Sequence, residues 1–185
     1  MASYTFRRVL AGPRRVRQPA LTELLPPPTL PRLEVVQMTQ GEFSVTIAAT
    51  PETVWPWISQ LEKHVEWSPK PYTMEWVSGE PNAVGSRYRS VGWVPGEKKH
   101  QNEGEITEVV PNQRFALRAD DKEGAFQDSY VLKPSGDGTE VTFSLVFPKM
   151  KGAMAALVPI LFAMTGKPDI RKRMAKLKTT VEAAT

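Results

Sequence analysis

The chain has 185 residues, 41% of them hydrophobic and 24% charged, which fits one soluble domain with an appendage. It has no cysteine, and this excludes disulfide bonds, thiolate metal sites and a thiol nucleophile. The net charge of +4 comes from residues 1–37, so the remainder is neutral and a poor candidate for nucleic-acid binding, which needs a clustered basic face.

Residues 1–37 form a basic extension with six arginines, two acids and six of the 17 prolines. Because proline fixes φ and lacks an N–H, the extension is predicted to be irregular or polyproline-like, with one domain spanning 38–185. Several interpretations stay open. The segment is a disordered extension or follows a start codon assigned too early, with Met38 as the alternative start. Otherwise it is a strap along the domain, an arm that contacts anionic lipid or a partner, or an organellar transit peptide.

A strand and a helix are predicted to open the domain. Phe43, Val45 and Ile47 alternate with polar residues, which indicates a half-buried strand. Thr50 and Pro51 have the residue types of a helix N-cap and first position. The apolar residues that follow at helical spacing are Val54, Trp57, Ile58 and Leu61.

Six short strands separated by turn residues are predicted next. No helix lies between them, which favours an antiparallel meander. The Pro-Ser-Gly-Asp-Gly stretch at 134–138 is a strong hairpin signal. The predicted strands are Tyr72–Val77, Ser86–Val94, His100–Val110, Arg114–Asp120, Phe126–Lys133 and Glu140–Phe147.

The C-terminus is predicted to be helical in two stretches that Gly166 and Pro168 interrupt. The apolar face of the first stretch consists of Met150, Met154, Leu157, Val158, Leu161 and Met164. The second stretch has Ile170, Met174, Leu177 and Val181 on its apolar face. The predicted order is therefore strand, helix, six strands and a long helix.

Several local motifs accompany this order. The most specific is Gly-x-Ile-x-x-x-x-Pro-x-x-Arg at 104–114. The others are Pro-x-x-Val-Trp at 51–55, Trp-x-Pro at 67–69, Gly-x-x-Tyr at 85–88 and the last hairpin at 138–142. In their order and spacing they resemble the SRPBCC superfamily over about residues 40–183. That superfamily includes START-type lipid-transfer domains, plant pollen-allergen proteins and bacterial polyketide cyclase/dehydrase-like proteins.

The resemblance implies an α+β helix-grip fold, in which a curved antiparallel sheet of about seven strands wraps around a long C-terminal helix. It also implies a cavity for an apolar or amphipathic ligand, but not one reaction. Three functions stay open. The first is binding or transport of a small hydrophobic ligand such as a lipid or an aromatic polyketide. The others are a cofactor-independent cyclase, aromatase or dehydratase, and a partner-binding regulator with a filled cavity.

Strand phase predicts which side chains would line such a cavity. Phe126, Asp128, Tyr130 and Leu132 share one face, and the apolar members should point that face inward. Asp128 and His100 are the candidate general acid/base pair; hydrogen bonding to a ligand and a structural role are the alternatives for both. The candidate ligand-binding residues are Trp76, Tyr88, Asn102, Phe115, Tyr130, Met154, Leu157 and Leu161.

Motifs for other chemistry are missing from the sequence. The two histidines, His64 and His100, are far apart, and there is no nucleotide-binding glycine motif or Gly-x-Ser-x-Gly element. We therefore predict no metal and no cofactor. His64 lies beside Lys63 and Glu66 and is interpreted as a solvated or capping residue.

The segment 152–166 is apolar nearly all round, and a basic run of six lysines and arginines follows it at 167–178. The apolar surface is predicted to cap the cavity, to form a homodimer contact or to touch a membrane surface. The basic run is interpreted as a solvated helix face or, alternatively, an anionic-lipid patch. No segment reaches the roughly 18 apolar residues of a membrane span and no secretory signal is evident, so a cytoplasmic protein is expected.

Overall fold

The computed structural model describes residues 38–94, 97–121, 124–147, 157, 160 and 162–185. The predicted N-terminal extension and the candidate residues Met154 and Leu161 lie outside the described residues. The strands are β1 (Met38–Ile47), β2 (Thr73–Ser78), β3 (Arg87–Val94), β4 (Glu97–Val110), β5 (Arg114–Asp121), β6 (Gly124–Ser135) and β7 (Gly138–Phe147). The helices are α1 (Pro51–Ser59), a 3-10 turn (Leu61–Lys63), α2 (His64–Trp67), a π-helical turn (Phe162–Gly166) and α3 (Lys167–Ala183).

The seven strands form one antiparallel sheet in the order β1-β7-β6-β5-β4-β3-β2. Strands β2 to β7 pair with their neighbours in the chain, whereas β1 pairs with β7 and sets Phe43 opposite Phe143. The last hairpin turns at 136–137, where Gly136 has a φ of 58° that favours glycine. The meander and the helix-grip fold class are therefore confirmed.

The core lies between the inner face of the sheet and the helices. Alternation along the strands points apolar side chains inward, and α3 covers them with residues spaced four, three and four apart. Those α3 residues are Ile170, Met174, Leu177 and Val181. The largest fully buried side chains elsewhere include Trp67, Tyr130, Phe115, Ile47, Ile58 and Ile106.

Two hydrogen bonds attach the C-terminal end of α3 to the end of β1. Lys178 Nζ donates to the Thr46 carbonyl at 2.7 Å, and the Ala48 N–H donates to Glu182 Oε1 at 2.7 Å. The first half of α3 lines the candidate site together with residues of β3, β4 and β7.

The predicted interruption before α3 is wrong. Gly166 has helical angles (φ −70°, ψ −48°), and Pro168 lies in the first turn of α3, where its missing N–H removes no hydrogen bond. Helical backbone thus continues from Phe162 into α3 through the π-helical turn. A π-helical turn has a wider period, so the expected spacing fails and Met164, predicted on the core face, is 71% exposed.

Among the described residues, no helix is both long and apolar enough to cross a membrane.

Candidate functional site

A cavity of about 300 Å³ lies between the inner face of the sheet and the first half of α3. The sheet side consists of Gly92, Trp93, His100, Asn102 and Leu145. The helical side consists of Phe162, Gly166, Asp169, Ile170 and Arg173. His64 and the segment 68–72 close the third side, so three separate parts of the chain enclose one space.

Lys70 joins these three parts at the rim of the cavity. Its ammonium contacts the Asp169 carboxylate of α3 and lies 3.5 Å from the centroid of the Trp93 ring. An ion pair and a cation–π contact on one lysine hold β3, α3 and the segment after α2 together.

Arg173 extends from α3 into the interior. Its guanidinium carbon is 4.8 Å from the Trp67 ring centroid and 5.9 Å from that of Phe143. Burial alone would lower the pKa of Arg173, but Tyr130 and Asp128 outweigh it and raise the pKa, so the group stays charged. The interpretation of the whole basic run as a solvated face or lipid patch is therefore wrong at this position.

His64 is buried at 2% exposure, so its interpretation as a solvated residue is wrong, whereas the alternative of a capping residue is confirmed by its bond to the Ile58 carbonyl in the last turn of α1. Its Nε2 lies 2.8 Å from the Ile58 carbonyl, which requires an N–H there, and its Nδ1 lies 3.5 Å from Arg173 Nη2. Burial and the charge of Arg173 lower the pKa of His64 to about 3. The hydrogen bond to Ile58 acts in the opposite direction but is outweighed. His64 is thus a neutral acceptor toward Arg173 at physiological pH.

Three tyrosines are grouped around the guanidinium. Tyr88 lies with its hydroxyl end over Gly104, where a Cβ atom would overlap the ring. Tyr72 lies beside Gly92, on the side where a Cβ atom would project. Tyr130 packs edge-on to the His64 ring at 6.1 Å between centroids. Burial raises the pKa of all three hydroxyls, so they remain protonated donors.

Asp128 lies beside this group on the inner face of β6 and is 8% exposed. Burial raises the pKa of its carboxyl to about 6, while Arg173 acts in the opposite direction. Within the described part of the chain, Asp128 Oδ1, Tyr130 OH and Asn102 Oδ1 are buried and have no hydrogen-bond partner. Buried polar atoms without partners are rare and costly, and they are typical of sites that bind or react.

The register separates the two candidate acid/base residues. Asp128 is level with Ile106 of β4, because both are in register with Leu117. His100 lies six residues earlier on β4, roughly 20 Å away along the strand at about 3.3 Å per residue. His100 is 6% exposed and lies 3.0 Å from Glu97 Oε2 through its Nδ1. The two side chains are therefore not neighbours.

The predicted ligand-binding residues occupy different places. Asn102 lines the cavity, whereas Phe115, Tyr88 and Tyr130 are buried in the core beside it. Trp76 is half-buried and donates its indole N–H to Glu62 at 2.6 Å. Leu157 is 46% exposed.

Sequence reasoning missed Arg173, His64 and Tyr72 as residues of the site, whereas it allows Trp93 as either a cavity residue or a packing residue, and Trp93 does line the cavity. A signal for Arg173 was present, because it falls three residues after Ile170 and four before Leu177, on the core face of α3. His64 follows a short helical turn and Tyr72 follows a loop. In neither place does a periodic pattern indicate which way the side chain points. Over the described ranges, no three histidine, aspartate or glutamate side chains come together in a way that could hold a metal ion.

The chain is similar to known proteins in both sequence and fold. A family model described as "Polyketide cyclase / dehydrase and lipid transport" matches residues 38–182. No curated protein matched the chain.

Three solved structures illustrate the likeness in fold. TTHA0849 from Thermus thermophilus is 22% identical, with a TM-score of 0.60 over 78% of this chain and 97% of that one. Ara h 8.0201 is 12% identical, with a TM-score of 0.59 over 80% and 99%. DynU16, a protein in the dynemicin biosynthetic locus, is 19% identical, with a TM-score of 0.50 over 75% of this chain and 47% of that one. At these identities the likeness establishes the fold alone.

Proposed function

Because the chain belongs to the polyketide cyclase/dehydrase and lipid-transport family of the SRPBCC superfamily, we propose that it binds a small hydrophobic molecule between the sheet and α3. The observation that carries this proposal is the cavity of about 300 Å³, with Trp93, Leu145, Phe162 and Ile170 in its walls. Ligand sites in proteins are concave, mostly apolar and supplied with a few convergent polar groups.

The size of the cavity favours a small molecule. Its volume is at the lower end of the roughly 300–1,000 Å³ that ligand pockets occupy. A ligand with one or two fused rings, or a short chain, suits this space better than a two-chain lipid. The unpartnered polar atoms nearby argue against the regulator with a filled interior, because a filled core has no reason to retain them.

Native mass spectrometry of the purified protein tests the proposal. We expect an apolar adduct at one per chain, released and identified under denaturing conditions. In Gly92→Leu the new side chain enters the cavity, because a Cβ at Gly92 meets only the Tyr72 ring at 3.7 Å. That variant should lose the adduct.

Gln101→Leu is the matched control, since it adds the same side chain on the exposed outer face of β4, and it should keep the adduct. If the wild type carries no adduct and its melting temperature responds to no member of a lipid and polyketide panel, the regulator becomes the better interpretation.

A second candidate function, cofactor-independent enolisation, is favoured by Asp128. A buried carboxylate with a free oxygen and a pKa of about 6 is a suitable general base near neutral pH. It would take a proton from the carbon next to a ligand carbonyl, and the electron pair of that C–H bond would move to the carbonyl oxygen as an enolate. Neither Asp128 nor Tyr130 lines the cavity, so the ligand would have to extend past Leu145, the register partner of Asp128 in the cavity wall. Tyr130, a protonated phenol with no partner among the described residues, would then donate a hydrogen bond to the enolate oxygen.

Deuterium exchange separates the enzyme from the carrier. The methyl protons of 2-acetonaphthone in D2O would exchange faster with wild-type protein than with Asp128→Asn, as measured by proton NMR. Gln127→Asn changes a neighbouring residue on the opposite face of β6 and serves as the control. Equal exchange rates in all three proteins would exclude the enzymatic function and favour the carrier function.

A further inference from the structure

We propose that Arg173 anchors the ligand by binding a negatively charged oxygen, either a carboxylate or an enolate or phenolate, and that His64 positions it for this contact. The inference rests on the proposed function, because it assigns the polar end of the molecule that the cavity would hold. It also names a ligand class: a small aromatic or aliphatic molecule that carries one oxyanion.

The first argument is the unused hydrogen-bonding capacity of the guanidinium. An arginine has five N–H donors. In the part of the chain that the structure describes, the one hydrogen bond of Arg173 is the 3.5 Å contact with His64, at the long limit for such a bond. No described carboxylate forms an ion pair with it. Donors therefore remain for a ligand.

The second argument is the orientation of the group. The Trp67 and Phe143 rings lie against the guanidinium, and such contacts hold the cation without consuming its N–H groups. Arg173 also forms part of the cavity wall. Its remaining donors are thus held beside the space that a ligand would occupy, in surroundings where a charge-assisted hydrogen bond is strong.

The third argument concerns His64, which acts through Arg173 and is a positioning residue. Its Nε2 proton is used on the Ile58 carbonyl, so Nδ1 is left as the acceptor that faces Arg173. The imidazole adds no positive charge, because burial and Arg173 keep it neutral. The position of the guanidinium is therefore fixed by a group that does not repel it.

The fourth argument is that no other charged group of the cavity neutralises the charge of Arg173. Lys70 and Asp169 neutralise each other at the rim. Asp128 is the carboxyl that acts most strongly on the Arg173 charge, but no ion pair or hydrogen bond joins the two side chains in the described chain. The interior thus offers one cation without a close counter-ion, and an anionic ligand oxygen would supply it.

The test compares two probes of nearly the same shape, 2-naphthoate and the neutral 2-naphthylmethanol, by titration calorimetry at pH 7. The wild type should bind the carboxylate about tenfold or more tightly than the alcohol, the size expected of a hydrogen bond to a charged group. In Arg173→Gln this preference should disappear, while the affinity for the alcohol stays within about twofold. Arg171→Gln, an exposed change on the same helix, should keep the wild-type preference.

Each outcome is decisive. An unchanged preference in Arg173→Gln overturns the inference and leaves the proposed function standing, because the alcohol still binds. Binding of neither probe to the wild type, in a cavity also found without an adduct, overturns the proposed function and the inference with it. If Arg173→Gln does not fold, Arg173→Lys decides. Lysine keeps the positive charge but lacks the forked geometry of the guanidinium. A preference for the carboxylate that is several-fold smaller than in the wild type supports the inference, and an undiminished preference contradicts it.

Discussion

The hydroxyl end of Tyr88 lies over Gly104 on the neighbouring strand, in the space that a side chain at position 104 would take. The two residues are register partners in β3 and β4, and Tyr88 is 4% exposed. A residue without a side chain thus allows a buried phenol to lie flat along the sheet, within electrostatic reach of Asp128 and Arg173. The pair belongs to the core beside the cavity.

Gly104→Ala should therefore lower the free energy of unfolding by about 1–3 kcal/mol, the usual cost of overpacking a core. Urea denaturation measures it. In a Tyr88→Leu background, which removes the ring, the same substitution should cost much less. Equal costs in the two backgrounds would show that the contact with Tyr88 does not determine the need for glycine.

Thr139 provides a test of a buried hydrogen bond away from the site. Its hydroxyl is fully buried and donates to the Ala49 carbonyl at 2.7 Å, at the junction of β7 and α1. Thr139→Val should destabilise the fold by about 1–3 kcal/mol, because the carbonyl is left without a partner. Thr142→Val is the matched change on the same strand, and its exposed bond to Ser44 predicts a smaller loss in thermal unfolding. A larger loss at Thr142 would contradict this assignment.

Asp128 should make stability depend on pH in an unusual direction. Its pKa is about 6 in the folded state against 3.8 ordinarily, so between these values the folded protein holds the extra proton. The stabilisation from this group is then present at low pH and is lost as pH rises through about 6, by about 3 kcal/mol in total. Asp128→Asn removes the titration. Relative to the wild type, the variant should gain about 2–2.5 kcal/mol of stability between pH 4 and pH 7.5 in urea titrations, and a constant difference would refute the assignment.

His64 should act in the opposite sense. Its pKa is about 3 in the folded state against 6.5 ordinarily, so the unfolded chain binds the extra proton between these values. Stability from this group is therefore complete above pH 6.5 and is lost as pH falls toward 3. In an Asp128→Asn background, lowering pH from 6.5 to 4.5 should cost the protein with His64 about 2–3 kcal/mol more than the one with His64→Gln. Identical slopes would indicate that folding does not lower the pKa of His64.

Most of the fold could be predicted from local patterns. The alternation of Phe43, Val45 and Ile47 predicted β1, and the turn residues at 134–138 predicted the hairpin between β6 and β7. These signals are strong because each depends on a few neighbouring residues and one period. Where the period changed, at the π-helical turn, the prediction for Met164 failed.

The site could be predicted only in part. Strand phase was enough to turn Asp128, Tyr130 and His100 inward, since one face of a strand follows from alternation. It could not give the distance between Asp128 and His100, because that depends on the register across β5. Arg173 was missed for a different reason: its spacing from Ile170 and Leu177 indicated the core face of α3, but a basic residue in a basic run is normally solvated.

The pairing of β1 with β7 also has a consequence for the order of folding. Ile47 pairs with Thr139, so β1 leaves the ribosome well before its partner strand, which lies nearly at the other end of the domain. At a synthesis rate of about 5–20 residues per second, β1 would wait roughly 5–20 s for β7. The other strand pairs close as successive hairpins, which are local and fast. We therefore expect the docking of β1 to be a late step, and amide protection in pulse-labelling experiments should appear in β4–β6 before it appears in β1.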